Sequence, residues 1–132
     1  MLAGVAAGST MYERAGGEEF FETLTRRFYA AVADDPVLRP LYPDDPAGLE
    51  AARRHLELFL IQHFGGPDVY RSERGEARLG WRHRGFSIGP AERDAWLAHM
   101  RAAVGEGGLR PLDEAQMLTF FGASANHLVN RP

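Results

Sequence analysis

Apolar residues recur at helical spacing in four stretches of this chain, and nowhere do they alternate as a half-buried strand requires. Phe20, Leu24, Phe28 and Val32 fall every fourth residue and Phe21 widens the stripe, which predicts a helix from about Glu18 to Asp34. Leu49, Ala52, Leu56, Phe59, Leu60 and His63 share a second face, from about Leu49 to Phe64, ended by Gly65-Gly66-Pro67. Pro90 suits the first turn of a third helix carrying Trp96, Leu97, Met100 and Val104, and Gly107-Gly108 ends it. A fourth opens on Asp113-x-x-Gln116, a capping-box pattern, and runs through Met117, Phe120, Phe121, Ser124 and Leu128. The expected class is all-α.

Two segments do not fit this periodicity. Pro36, Pro40, Pro43 and Pro46 break the first connection into turns and short helical pieces, with Tyr42 among them. From Pro67 to Gly80 the chain is polar and aperiodic, which predicts a long ordered loop, unusual in a compact domain unless it serves a function. It leads to Trp81-Arg82-His83. Met1 to Met11 is small and apolar, without the charged start and strong apolar run of a secretory signal. It reads as a disordered lead-in, residues 1–11, before a single domain over residues 12–132, and Met11 is an alternative start.

Composition removes several function classes. With 132 residues the chain is the size of one domain, large enough to fold on one core. It has no cysteine, which excludes disulfides, thiolate metal sites and thioether-linked haem, and suits a reducing, cytoplasmic setting. Charges are interspersed with a net of −3, so no basic field invites nucleic acid, and no run is long and apolar enough for a membrane span. Five histidines are scattered without the i, i+4 pairing of a two-ligand helix face. The glycine doublets sit at helix ends rather than in a phosphate loop, and no strand is present to build a serine elbow. The aromatics on helix faces are core by default.

A resemblance takes the reading further. Phe28-Tyr29-Ala30-Ala31-Val32, Leu41-Tyr42-Pro43, Phe64-Gly65-Gly66-Pro67, Tyr70, Arg82-His83, Glu92-Arg93-Asp94-Ala95-Trp96-Leu97 and a His127-to-Asn130 ending occur in one order over about Tyr12 to Asn130. The chain resembles the group II truncated haemoglobins. That resemblance implies a two-over-two helical sandwich around haem b, with an ordered loop in place of most of the helix that carries the iron ligand. It implies His83 as that ligand, through a neutral imidazole nitrogen. It implies a distal cage of Tyr29, Tyr42 and Trp96, each a donor pointing at a bound gas, with Ala52 and Leu56 as apolar distal neighbours.

Porphyrin contacts are expected from Phe28, Phe59, Phe86, Ile88 and Met100, by family position and helix face together. The propionates need cationic or hydroxyl partners, and Arg82, Tyr70 and the Arg53-Arg54 pair are the nearest candidates in sequence. The group usually has arginine where this chain has His55, so one propionate contact is expected to be lost, weakened, pH-dependent or taken over by a neighbouring arginine. The resemblance implies reversible binding of dioxygen, carbon monoxide and nitric oxide for retention or scavenging, as a monomer or homo-oligomer. The alternative is a redox enzyme acting on nitric oxide or peroxide with an external reductase; no distal histidine or carboxylate is placed to serve it as acid and base. A cofactor-free helical interaction module is the third class.

Overall fold

The computed structural model describes residues 9–132, and the lead-in before Ser9 lies outside them. Among the described residues the chain is all-helical: α1 (Met11–Ala15), α2 (Glu18–Ala33), a 3-10 turn at Arg39–Leu41, α3 (Pro46–His63), α4 (Val69–Arg74), α5 (Leu79–Arg82), α6 (Pro90–Gly105) and α7 (Pro111–Leu128). The four long helices match the four amphipathic stretches. α2 packs on α3 and on α6, and α6 packs on α7, so two helix pairs enclose one core. Phe21, Leu24, Phe28, Leu60, Met100, Met117 and Phe121 are sealed at its centre.

Local chemistry sets the helix ends. Pro46 occupies the first turn of α3, and the Asp45 carboxylate accepts from the Gly48 N–H at 2.8 Å, so α3 starts three residues before the expected Leu49. Pro90 opens α6 as expected, with Glu92 accepting from the Gly89 N–H at 2.8 Å. The capping box proposed at Asp113 is not formed. α7 begins at Pro111, and Asp113, already inside it, accepts from Arg14 with contacts of 3.1 to 3.2 Å.

That ion pair belongs to a helix absent from the sequence reading. Thr10 accepts from the Glu13 N–H at 3.1 Å and Glu13 accepts from the Thr10 N–H at 2.9 Å, a complete capping box that starts α1. Met11 is buried and the Tyr12 N–H donates to the Phe64 carbonyl at 2.8 Å. The folded chain therefore includes residues 9–11, which had been assigned to the lead-in. Gly65 and Gly66 seat α1: a side chain at Gly65 would meet Thr10 at 2.7 Å, and one at Gly66 would meet Ile61 and Tyr12 at 2.7 Å. The other difference is the Pro67–Gly80 stretch, which contains α4 and the start of α5, each too short to show an apolar period.

Candidate haem pocket

α2, α3, α6, α7 and the two short helices surround a cavity of about 370 Å³. Its walls are aromatic and aliphatic, with Leu56 and Phe59 from α3, Trp96 from α6 and Phe121 from α7 among them. Two imidazoles border it, His83 and His55. The Arg74 Nη1 donates to His55 Nε2 at 3.1 Å, which engages that ring at the rim. Among the described residues no three His, Asp or Glu side chains are placed to hold a metal ion together. A metal here must bring most of its own ligands, as a macrocycle does, and a single imidazole then completes the set. The donor set and the apolar walls fit haem.

Tyr29, Tyr42 and Trp96 all reach this cavity, but they meet one another first. The Tyr29 and Tyr42 rings lie edge to face with centroids 5.4 Å apart. Trp96 and Tyr29 are the polar neighbours that act on the Tyr42 hydroxyl. An indole N–H can only donate, so the polar interaction between them runs from Trp96 to the Tyr42 oxygen. Burial pushes the Tyr42 phenol up to about 12, against these two neighbours, which lower it. Burial raises Tyr29 as well, helped by its hydrogen-bonded neighbour Tyr42 and opposed by the charge of Arg53. Both phenols stay protonated and remain donors at any ordinary pH.

The chain matches the bacterial-like globin family over residues 10–130. It is 36% identical over 115 residues to the group 2 truncated hemoglobin YjbI of Bacillus subtilis, covering 87% of this chain and 85% of that one. The chain belongs to the group II truncated haemoglobins. Among solved structures, the thermostable hemoglobin of Thermobifida fusca superposes with a TM-score of 0.89 at 48% identity, covering 94% of this chain and 99% of that one. The truncated oxygen-avid haemoglobin of Bacillus subtilis superposes with a TM-score of 0.85 at 36% identity, covering 92% and 100%. Haem b is the cofactor of this family, and this truncated haemoglobin is a haem- and gas-binding globin.

Most of the expected pocket residues line the cavity: Tyr29, Tyr42, Trp96, Ala52 and Leu56, and likewise Phe59, Tyr70, Arg82, His83, Phe86, Ile88 and His55. Four expected contacts do not. Phe28 is fully buried behind the cage, edge-on to Tyr29 and Trp96 with centroids 5.2 and 5.3 Å away. Met100 sits in the sealed core one turn beyond Trp96. Arg53 is buried, with Glu57 at 2.8 Å, Thr25 at 2.9 Å and Glu50 at 2.9 Å. Arg54 closes on the other Glu57 oxygen at 2.8 Å. This network ties α3 to α2 and engages both guanidiniums with Glu57.

The rim is built instead from the short helices. Arg74 lines the cavity, and its guanidinium and that of Arg82 lie 5.8 and 5.7 Å from the Tyr70 ring centroid. Arg82 also donates to the carbonyls of Ala77 at 2.6 Å, Arg74 at 2.7 Å and Glu76 at 3.1 Å, so one side chain gathers the turn between α4 and α5. Burial, then the charges of Arg74 and Arg82, lower the His55 pKa and keep its ring neutral at pH 7. Arg74 escaped the sequence reading because α4 did. Once Val69–Arg74 is a helix, Tyr70 and Arg74 stand one turn apart on one side. Ser124 and Leu128 also line the cavity from the α7 face that had been read as core.

Proposed function

We propose that this protein binds dioxygen reversibly, with His83 as the iron's protein ligand and Tyr42 as the principal distal donor. Haem b supplies a ferrous iron that takes up a diatomic gas. The observation that carries the reading is the meeting of Tyr29, Tyr42 and Trp96 within the cavity that His83 borders. A phenol that accepts from two neighbours keeps its own O–H for a third partner, and the two contacts fix where that proton points. Trp96 then acts through Tyr42 as much as on the gas itself. Fixed donors in an apolar cavity favour a polarised gas and slow its escape. Ala52 leaves space beside Leu56 through which a small ligand can pass.

Among the distal residues, peroxide chemistry lacks an acid-base group. Glu92 borders the cavity, but backbone hydrogen bonding, first from Gly89, lowers its pKa, and Arg131 binds it. A carboxylate held so firmly ionised is a poor proton donor. His55 is engaged with Arg74 at the rim. The function that fits is retention or scavenging of oxygen, and the oxygen-avid relative from Bacillus subtilis supports it. Spectra of the purified protein in ferric, ferrous, oxygen-bound and carbon-monoxide-bound states are expected to be those of one haem b per chain. Oxygen dissociation should be slow and turnover with peroxide feeble. A colourless protein, or rapid peroxide turnover, overturns the reading.

A further inference from the structure

The segment that follows His83 passes through Phe86 and Ile88, both at the cavity wall, before Gly89 opens α6. It forms no regular helix, so its backbone polar groups need partners from elsewhere. The last residues of the chain supply them. α7 ends at Leu128 and Val129 is extended, which turns the terminus back toward this segment. The Asn130 carboxamide accepts from the Ile88 N–H at 2.8 Å and donates to the Phe86 carbonyl at 2.6 Å. The Asn130 and Arg131 N–H groups donate to the Ile88 carbonyl at 2.8 and 3.3 Å. Arg131 grips both oxygens of Glu92 at 2.8 and 2.9 Å, and Glu92 accepts from the Gly89 N–H at 2.8 Å. A methyl group on Gly89 would stand 2.7 Å from the Arg131 guanidinium.

We propose that Asn130 is a positioning residue that holds the Phe86–Ile88 backbone and, through it, the orientation of the His83 imidazole toward the haem iron. The proposal rests on His83 being the iron's ligand. A carboxamide is needed because it accepts and donates at once, and the two atoms it joins lie two residues apart on one strand of backbone. Aspartate keeps the acceptor and loses the donor, and leucine loses both. The Phe86 N–H closes a turn on the His83 carbonyl at 3.0 Å, so a shift of Phe86 is passed directly to His83. The terminus thus adds a tether at Phe86 and Ile88, in the middle of the irregular segment.

The test uses the haem-loaded full-length protein and the variants Asn130→Leu, Asn130→Asp and Arg131→Met, with His83→Gly as the reference. In Asn130→Leu the Ile88 amide should exchange with solvent about tenfold faster, as expected for losing two hydrogen bonds. The iron–imidazole stretching band of the ferrous protein, read by resonance Raman, should shift and broaden, more in Asn130→Leu than in Asn130→Asp. Arg131→Met, which leaves the carboxamide in place, should give a smaller change of the same kind. An unchanged band in both Asn130 variants, with that band lost in His83→Gly, overturns the positioning role alone. A band that survives in His83→Gly overturns the ligand assignment on which it rests.

Discussion

The two walls of the pocket are built by different physics. The wall bearing Tyr29, Tyr42 and Trp96 is made by long packed helices and the connector lodged between them. Phe28 behind it is 0% exposed and Tyr29 is 8% exposed. The wall bearing His83 consists of a four-residue helix and an irregular segment, and Phe86 upon it is 44% exposed. Its shape comes from polar links to main chain: Arg82 on three carbonyls, Asn130 on Phe86 and Ile88. A packed wall resists small changes and yields to lost volume. A wall held by a few hydrogen bonds yields to the loss of any one of them. The side bearing the three aromatics is therefore preformed by the core, and the side bearing His83 is adjustable without disturbing it.

Replacing His83 with alanine tests the contrast most severely. Haem should be lost or retained only with an added imidazole, while far-UV circular dichroism of the four long helices persists. A variant that keeps a native Soret band removes His83 from its role. The packed side has its own weak point in the buried Arg53–Glu57 pair, where Glu57 is 1% exposed. Glu57→Leu strands two arginines, one of them buried, and should cost about 3 kcal/mol in urea unfolding. Replacing Arg53 and Glu57 together by leucine and methionine should recover much of that loss, because the desolvation of both ions disappears with them. A single variant as stable as the parent would show that the network contributes nothing to joining α2 and α3.

Oxygen release measures the cage itself. Tyr42→Phe should accelerate dissociation about tenfold to hundredfold, the effect of losing one hydrogen bond to a polarised ligand. Trp96→Phe removes the donor behind Tyr42 and should act less strongly, with oxygen association little changed and carbon monoxide less affected. Tyr29→Phe should be non-additive with Tyr42→Phe, since both belong to one network. Stopped-flow dissociation rates decide it. Unchanged rates in all three variants would leave the aromatics as core packing.

The same contrast explains what could be read from the sequence. The long helices announce themselves by apolar period, and their breaks by glycine and proline, whereas Tyr29, Tyr42 and Trp96 were singled out only by the family resemblance. Phe28 and Met100 were misplaced because helix face tells that a residue is buried, and not whether it meets cavity or core. The short elements carry no period. α1 hides in a five-residue helix whose only signal is Thr10-x-x-Glu13, and the same pattern at Asp113 proved to be an ion pair to Arg14. Arg53 was named as a propionate candidate because its partners, Thr25 on another helix and Glu57 one turn on, are assembled only by the fold. The links from Asn130 to Phe86 and Ile88 span 44 and 42 residues, and no local pattern foretells them.

The smallest expected effect concerns a part-buried polar link at the edge of the packed wall. Asp35, in the connector that leads to Tyr42, receives the His99 Nε2 contact from α6 at 2.6 Å and caps the Val37 N–H at 2.7 Å. The hydrogen bond from His99, followed by that from Val37, holds the Asp35 pKa below its ordinary value. A carboxylate depressed on folding adds stability that is present above its unfolded pKa, about 4, and is lost as pH falls through the lower folded value. The Asp35→Asn variant cannot titrate, so its melting temperature should lie slightly below the parent's at pH 6 and converge with it toward pH 3. Oxygen dissociation at pH 6 should rise modestly in the same variant, because a looser connector lets Tyr42 leave the two donors that orient it. Parallel melting curves for the two proteins across that range would show that Asp35 holds nothing that depends on its charge. The connector would then owe its position to Leu38, buried in the core beneath it.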